Sequence, residues 1–182
     1  VPGTPYDASG MLRAAIKDPD PVLFLEHKRT YRLIKGEVPD EPFEVPIGKA
    51  EVRRAGTDVT LVCHSKTVTV ALKAAEQLAD EGISAEVVDL RTIRPLDTET
   101  VLNSVGRTHR CVVVEEGWAF AGVGAQVVDV IQQHAFDELD APVLRVTGAD
   151  VPMPYNKHLE RAAKADPAKV IAAVKRVLYI GI

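Results

Sequence analysis

The strongest constraint on the fold is a regular alternation of strand-like and helix-like segments, which starts near Lys49 and continues to the end of the chain. Short apolar runs alternate with longer segments in which apolar residues recur at helical spacing. The predicted strands are residues 59–63, 85–90, 111–114 and 143–146, and the predicted helices are residues 67–81, 97–105, 124–136 and 167–178. This order predicts an α/β fold: a three-layer, doubly wound, mainly parallel sheet with helices on both faces.

Residues that favour helix ends support these boundaries. Asp97 is expected to be an N-cap, and Pro167 stands in the first turn of the last helix, where its missing N–H costs nothing. Gly82 and Gly106 follow the first two helices, which is typical of a helix C-terminus.

A different pattern precedes this domain. Residues 6–17 predict a helix with Asp7 as its N-cap. An Asp-Pro-Asp-Pro sequence at residues 18–21 ends the helix, because proline cannot continue a helix and restricts the residue before it. The short apolar run at residues 22–25 predicts a strand covered on both faces.

One helix and one strand cannot bury a core, and this observation sets the expected domain organisation. We expect residues 1–29 to be the incomplete end of a larger α/β domain, completed by residues before Val1 or by another chain. Residues 30–48 lack periodicity and contain three prolines, as a linker does. Residues 49–182 are expected to form a complete second domain.

Composition excludes several functional classes. The net charge of −4 and pI near 5.8 argue against general nucleic-acid binding, which needs a concentrated basic surface. No apolar run approaches the roughly 20 residues of a membrane span, and no secretory signal opens the chain. We expect the two cysteines to be buried free thiols, and no Cys or His pair has zinc-ligand spacing.

Open parallel sheets bind ligands beyond the carboxyl ends of their strands, which here carry residues 64–66, 91–94 and 115–118. Glu115 and Glu116 are adjacent in an extended segment, so we expect them to diverge and to have structural roles rather than to form an acid/base pair. His64 and Ser65 lack the surrounding motif of a nucleophile. The Gly-x-Gly sequence at 122–124 lacks the third glycine of a dinucleotide loop and is predicted to allow close packing of a helix start.

A candidate cation site follows the first helix. The carboxylates of Asp18 and Asp20 lie close to helix-end carbonyl groups around Ala15 that have no partner within the helix. Hard oxygen ligands of this kind suit potassium or calcium, although a plain Asp-Pro turn explains the same residues.

Several stretches, in order along almost the whole chain, resemble the beta subunits of thiamine-diphosphate-dependent 2-oxo acid dehydrogenase decarboxylase components. The matching sequences are TPYDA at residues 4–8, FLEHKRTYR at 24–32, PIGKA at 46–50, AEVVDLRTIRPLD at 85–97, VEEG at 114–117, GVGA at 122–125 and VTGADVPMPYN at 146–156. The resemblance implies that residues 1–29 end a pyrimidine-binding domain and that residues 49–182 are a transketolase C-terminal-like domain.

The resemblance also implies cofactors and partners. Thiamine diphosphate is expected to be bound mainly by residues outside this chain, with magnesium on an alpha subunit. The family's activating glutamate and active-site histidine would precede Val1, so no catalytic or cofactor-binding residue is assigned and we expect the chain to be inactive alone. By motif position, Ala15, Asp18 and Asp20 correspond to a structural potassium site, although Asp20 replaces the more usual asparagine.

In this family, two alpha and two beta subunits form a heterotetramer that decarboxylates a 2-oxo acid and passes the acyl group to the lipoyl arm of an acyltransferase component. That component docks on the last domain, to which we expect residues 167–178 and the chain terminus to contribute. The resemblance implies a location in the cytoplasm, or in the mitochondrial matrix or plastid of a eukaryote.

Pyruvate is the expected substrate, because residues 116–118 and 151–155 resemble pyruvate-type subunits. A branched-chain 2-oxo acid, 3-methyl-2-oxobutanoate, is the alternative, suggested by residues 28–32. A non-catalytic assembly and docking domain is a third interpretation for these residues alone. The tail of a transketolase or a deoxyxylulose-phosphate synthase fits residues 4–32 poorly.

Overall fold

The computed structural model describes residues 1–181, and its centre is a single five-stranded sheet. The strands are β1 (Glu51–Arg54), β2 (Val59–Cys63), β3 (Ala85–Asp89), β4 (Cys111–Trp118) and β5 (Leu144–Gly148). Their order across the sheet is β1-β3-β2-β4-β5. Strands β2, β3, β4 and β5 run parallel to one another, and β1 is an antiparallel edge strand beside β3.

Helices cover both faces of this sheet. The helices are α1 (Pro5–Lys17), α2 (Thr30–Leu33), α3 (Thr67–Asp80), α4 (Thr98–Thr108), α5 (Val123–His134), α6 (Lys157–Ala163) and α7 (Pro167–Val177), with a 3-10 turn at Phe136–Glu138. Helices α3 and α7 pack on one face, and α4 and α5 pack on the other. The predicted three-layer, mainly parallel α/β fold is therefore confirmed.

Strand β2 shows how this sequence builds two cores from one sheet. All five of its residues are buried, and successive side chains point to opposite faces. Leu61 joins the cluster that contains Leu78 of α3 and Val174 of α7, whereas Val62 joins the cluster that contains Ile131 of α5. A continuous apolar run is what a central strand covered on both sides requires.

The predicted boundaries differ from the structure mainly where tertiary contacts extend an element. Helix α4 continues through Gly106 to Thr108 and ends at His109, whose φ of 57° is left-handed, so Gly106 is not the helix end. Asp97 does cap α4, and Gly82 follows α3 with a φ of 79°. Strand β1 and helix α6 were not predicted, because neither carries a long apolar periodicity.

Helix α1 is present, but its N-cap is not Asp7. The Thr4 side chain accepts a hydrogen bond from the Asp7 backbone N–H, and Pro5 occupies the first turn. Thr4 precedes proline, which favours the extended backbone that an N-cap needs. The Asp7 side chain is thereby freed for the ion pairs described below.

The predicted strand at residues 22–25 is wrong for this structure. The segment is extended but pairs with no strand of residues 1–181, and the exposed fractions of Leu23 and Leu25 are 82% and 51%. An apolar run becomes a strand only when a neighbouring strand takes up its backbone hydrogen bonds. The linker at 30–48 also contains one short helix, α2. A later part of the linker packs on α1, where the rings of Phe43 and Tyr6 stack with their centroids 4.4 Å apart.

Candidate functional site

The topology creates a crevice between the carboxyl ends of β2 and β4. Strand β2 leads through α3 to β3 on one side, whereas β4 leads through α5 to β5 on the other. The two helices also cover opposite faces of the sheet. Chains that leave neighbouring parallel strands in opposite directions open a crevice, where sheets of this kind bind ligands. We call it the switch-point crevice; it is formed by residues 64–66 and 115–117.

His64 and Ser65 begin this crevice directly after β2. Ser65 has a left-handed φ of 53°, which turns the chain sharply into α3. Both His64 ring nitrogens are closed off from solvent and have no hydrogen-bond partner within the part of the chain that the structure describes. Burial lowers the pKa of His64, although the nearby carboxylates of Glu115 and Glu116 act in the opposite direction. His64 is therefore a neutral imidazole at pH 7.

Glu116 joins the crevice to the segment before it. Its carboxylate pairs with Lys66 and lies 2.7 Å from Nε2 of His27. The His27 Nδ1 atom accepts a hydrogen bond from the Arg29 backbone N–H, so Nε2 carries a proton that it donates to Glu116. Burial alone would raise the pKa of Glu116, but Lys66 and His27 outweigh it and hold the pKa below its ordinary value.

Glu115 points away from Glu116, as predicted, and supports the turn into α5. Its carboxylate accepts a hydrogen bond from the Gly124 N–H at 3.0 Å and pairs with Arg145 at 2.6 Å. A Cβ atom at Gly124 would lie 2.5 Å from Glu115 Oε1, and one at Gly122 would lie 2.6 Å from Oε2. The glycines therefore permit close packing at a helix start, which confirms that interpretation of the Gly-x-Gly sequence.

A buried ion network ties α1 to the sheet. Asp7 pairs with Arg53 of β1 and, at 2.8 Å, with Arg91, which follows β3. Arg53 also pairs with Asp89 at 3.0 Å, and Arg91 pairs with Glu51 at 2.8 Å. Asp7 and Asp89 are fully buried. Burial raises the pKa of Asp89, and Arg53 partly offsets that rise. We call these five residues the Asp7 network.

The proposed cation ligands lie at the end of α1. Ala15, Asp18 and Asp20 all line one largely apolar cavity of about 600 Å³. Residue 19 is proline, so the Ala15 carbonyl has no N–H to accept from at the usual i+4 position. The Asp18 carboxylate accepts the Asp20 N–H at 3.0 Å, which forms the Asp-Pro turn foreseen as the alternative. The structure thus brings the three residues to one cavity.

The remaining predictions concern thiols, metals and membranes. Cys63 and Cys111 are buried and free, as expected, and burial raises the pKa of Cys111 to about 12. Among residues 1–181, no group of three or more His, Cys, Asp or Glu side chains is placed to share a metal ion. No helix within the same range is long and apolar enough to cross a bilayer.

Sequence reasoning missed the Asp7 network and the role of His27. Arg91 was recognised only as part of a strand-end surface, and Asp7 was interpreted as a helix cap. The available signal was the placement of charged residues next to buried strands, at Arg53, Asp89 and Arg91. That signal does not identify partners, because Asp7 and Arg91 are 84 residues apart in the chain.

The fold and the crevice define an open, doubly wound α/β domain of the kind that binds partners or ligands at its strand ends. The chain belongs to the transketolase C-terminal domain family, whose model matches residues 48–170. A solved structure described as a split-gene transketolase, an inactive beta4 tetramer, is 29% identical with a TM-score of 0.69, covering 82% of this chain and 48% of that one.

Two curated relatives extend the match over nearly the whole chain. The pyruvate dehydrogenase E1 component subunit beta, mitochondrial, of Dictyostelium discoideum is 49% identical over 180 residues, which are 97% of this chain and 51% of the relative. The 2-oxoisovalerate dehydrogenase subunit beta of Bacillus subtilis (strain 168) is 47% identical over 178 residues, covering 97% and 54%. The resemblance seen in the sequence is confirmed, and the chain spans about half the length of these relatives.

Proposed function

We propose that this chain is part of the beta subunit of a 2-oxo acid dehydrogenase complex, which oxidatively decarboxylates pyruvate and transfers the acyl group to a lipoyl group. The observation that carries the proposal is the 49% identity to a pyruvate dehydrogenase beta subunit over 97% of the chain. The nearly equal identity, 47%, to a 2-oxoisovalerate dehydrogenase beta subunit supports a branched-chain 2-oxo acid as the second candidate substrate.

Substrate choice is tested by co-expressing the full-length protein with its alpha subunit. Thiamine-diphosphate-dependent decarboxylation of pyruvate is compared with that of 3-methyl-2-oxobutanoate. We expect the higher kcat/KM for pyruvate. A reversed preference would favour the branched-chain alternative, and a stable complex inactive on both would overturn the enzyme assignment.

Thiamine diphosphate is the proposed cofactor of the complete enzyme, where it would supply the electron sink for decarboxylation. The resemblance assigns the cofactor's ligands to residues outside this chain, and among residues 1–181 no group of three or more His, Cys, Asp or Glu side chains is placed to hold a metal ion. We therefore assign cofactor binding to other parts of the assembly, with magnesium on the alpha subunit. For residues 49–182 we propose an assembly and docking role.

The proposed partners are the alpha subunit, a second beta subunit and the lipoyl acyltransferase component. Exposed apolar residues support an assembly, since Ile16, Leu23 and Phe120 are between 75% and 83% exposed. The tetrameric state named for the split-gene transketolase also supports it. Helix α7 is proposed to contribute to acyltransferase docking, whereas Ile182 at the terminus lies outside the described residues. Native mass spectrometry of the co-expressed subunits should give two copies of each.

We propose the same domain boundaries as the sequence suggests: residues 1–29 as the end of a pyrimidine-binding domain, 30–48 as a linker and 49–182 as the docking domain. The family match that begins at residue 48 supports the last boundary. The proposed location is the bacterial cytoplasm, or the mitochondrial matrix or plastid in a eukaryote. Relatives from Dictyostelium discoideum and Bacillus subtilis support both settings.

Potassium is proposed to bind the Ala15 carbonyl and the side chains of Asp18 and Asp20, with further ligands from outside the chain. The shared cavity and the proline that leaves the Ala15 carbonyl free support this site.

Potassium should raise the thermal midpoint of the full-length assembly by mass action, and sodium at the same ionic strength should not. The Asp18→Ala variant should lose the response, and Asp137→Ala, an exposed control, should keep it. A potassium response unchanged by Asp18→Ala would remove the proposal.

A further inference from the structure

A concentration of positive charge lies beside the switch-point crevice, in a chain whose overall charge is negative. Five cationic side chains line one open cavity of about 380 Å³, which we call the cationic groove: Arg29, Lys66, Lys157, Arg161 and Lys164. Two carboxylates, Glu160 and Asp166, line the same cavity, and Glu116 pairs with Lys66 from outside it, which leaves two net positive charges. The net charge of the whole chain is −4, so the groove departs from the average surface.

The two carboxylates are already engaged. Glu160 is shared by Lys164 and by Arg29, whose Nη1 lies 3.4 Å from its Oε1. Lys164, Arg29 and Lys66 together hold the pKa of Glu160 below its ordinary value. Asp166 accepts the Lys169 N–H as the N-cap of α7. Both carboxylates therefore already have partners among the described residues.

Two cations of the groove have no ion-pair partner. Within residues 1–181, no carboxylate lies in salt-bridge range of Lys157 or Arg161, both of which are solvent-exposed on α6. Clustered cations repel one another, and an anion that bridges them removes that repulsion. Guanidinium groups match the geometry of phosphate oxygens and can donate two parallel hydrogen bonds.

The shape of the groove favours a small ligand over an extended polypeptide. Its volume is at the lower end of the range of small-molecule pockets, roughly 300–1,000 Å³. Four parts of the chain build it: the segment before α2, the start of α3, helix α6 and the start of α7.

We propose that the cationic groove binds a small phosphate-bearing anion, with Arg161 and Lys157 as its free ligands and Arg29, Lys66 and Lys164 completing the positive surround. The proposal does not depend on which 2-oxo acid is the substrate. Because Lys66 also pairs with Glu116, an occupied groove adjoins the switch-point crevice directly.

The test is calorimetric titration of the full-length protein, in the assembly in which it is purified, with inorganic phosphate. Sodium chloride at matched ionic strength is the reference. We expect saturable phosphate binding that weakens as salt is added, because exposed charges are screened. Arg161→Gln should weaken binding about tenfold, which corresponds to the loss of one good charge-assisted contact. Arg161 is exposed and unpaired, so the variant should fold normally.

Lys73→Gln is the matched control, since Lys73 is exposed on α3 away from the groove and the substitution removes the same charge. It should bind phosphate as the parent does. Absence of saturable binding, or equal weakening by Arg161→Gln and Lys73→Gln, would overturn the proposal. Binding of an acidic peptide without binding of phosphate would overturn it in favour of a protein partner.

Discussion

Residues 49–181 and residues 1–48 have similar local sequence signals and very different structures. In the first region every predicted apolar run finds a partner, and the two clusters on either side of the sheet are closed to solvent. In the second, Leu23 and Leu25 remain exposed although they form an equally apolar run. Apolar periodicity therefore identifies a potential element, but that element is buried only where the chain also supplies its packing partner.

Different interactions act within the first region and between the two regions. Packing between helices and sheet holds the first region together, and the Asp7 network supplies buried charge between α1 and the sheet edge. Burying charges is costly unless each is paired. The contact between the two regions therefore depends on these particular charged partners, whereas an apolar contact would tolerate other apolar side chains. Substitutions in each region should therefore differ in size and in cause.

The largest effect is expected in the core of the first region. Leu78→Ala removes a fully buried side chain that packs against β2 and α7. The lost burial and the cavity left behind should lower the free energy of unfolding by about 3–5 kcal/mol. Urea unfolding of the full-length protein measures this loss. A change below about 1 kcal/mol would contradict a close-packed core at this position.

The next effect is expected at the join. Asp7→Ala leaves Arg53 and Arg91 without their shared carboxylate, although each keeps one other acidic partner. We expect a loss of about 3 kcal/mol, at the lower end of the cost of breaking a buried ion pair. The exposed pair of Lys17 and Glu44, also on α1, is the control, and Lys17→Ala should cost less than about 1 kcal/mol. Equal costs for the two variants would show that the Asp7 network adds no stability.

A smaller effect is expected from Leu23→Ala, in the second region. If residues 1–29 complete a domain in the full-length assembly, other residues cover the Leu23 side chain, which is 82% exposed in this chain. The substitution should then lower the thermal stability of the assembly by about 2 kcal/mol. An effect within about 0.5 kcal/mol is typical of a surface position and would contradict the proposed domain membership.

Much of the fold could be predicted from the sequence because its determinants are local. The runs at β2 and β3 are rich in Val and Leu and buried throughout, and Asp97 caps α4 as its position predicts. Strand β1 could not be predicted in the same way. None of its four residues is fully buried and three are charged, and they form a strand because β3 offers an unpaired edge.

The candidate site was predictable only as a location. Parallel topology places the ends of β2 and β4 side by side, and this could be deduced from the order of elements. The ion pairs within the site depend on exact distances between remote segments, as in the contact of His27 with Glu116. The cationic groove likewise joins Arg29 to Glu160 across 131 residues, a separation that no local pattern encodes.

The smallest effect is expected where the two regions meet, and it should depend on pH. Burial alone would raise the pKa of Asp97, but hydrogen bonds from the Ala50 N–H and from Thr100 outweigh it and lower the pKa. A lowered pKa means that the stabilisation is present above the ordinary value of about 3.9 and is lost as the pH falls through the folded-state value. Asp97→Ala should therefore cost about 1 kcal/mol at pH 7, and its difference from the parent should shrink below about pH 4.

Asp97→Asn keeps an N-cap acceptor without the charge, so it should retain most of the stability at pH 7. An Asp97→Ala deficit of the same size at pH 3 and pH 7 would show that the ionised carboxylate does not hold Ala50, which lies just after the linker, against α4.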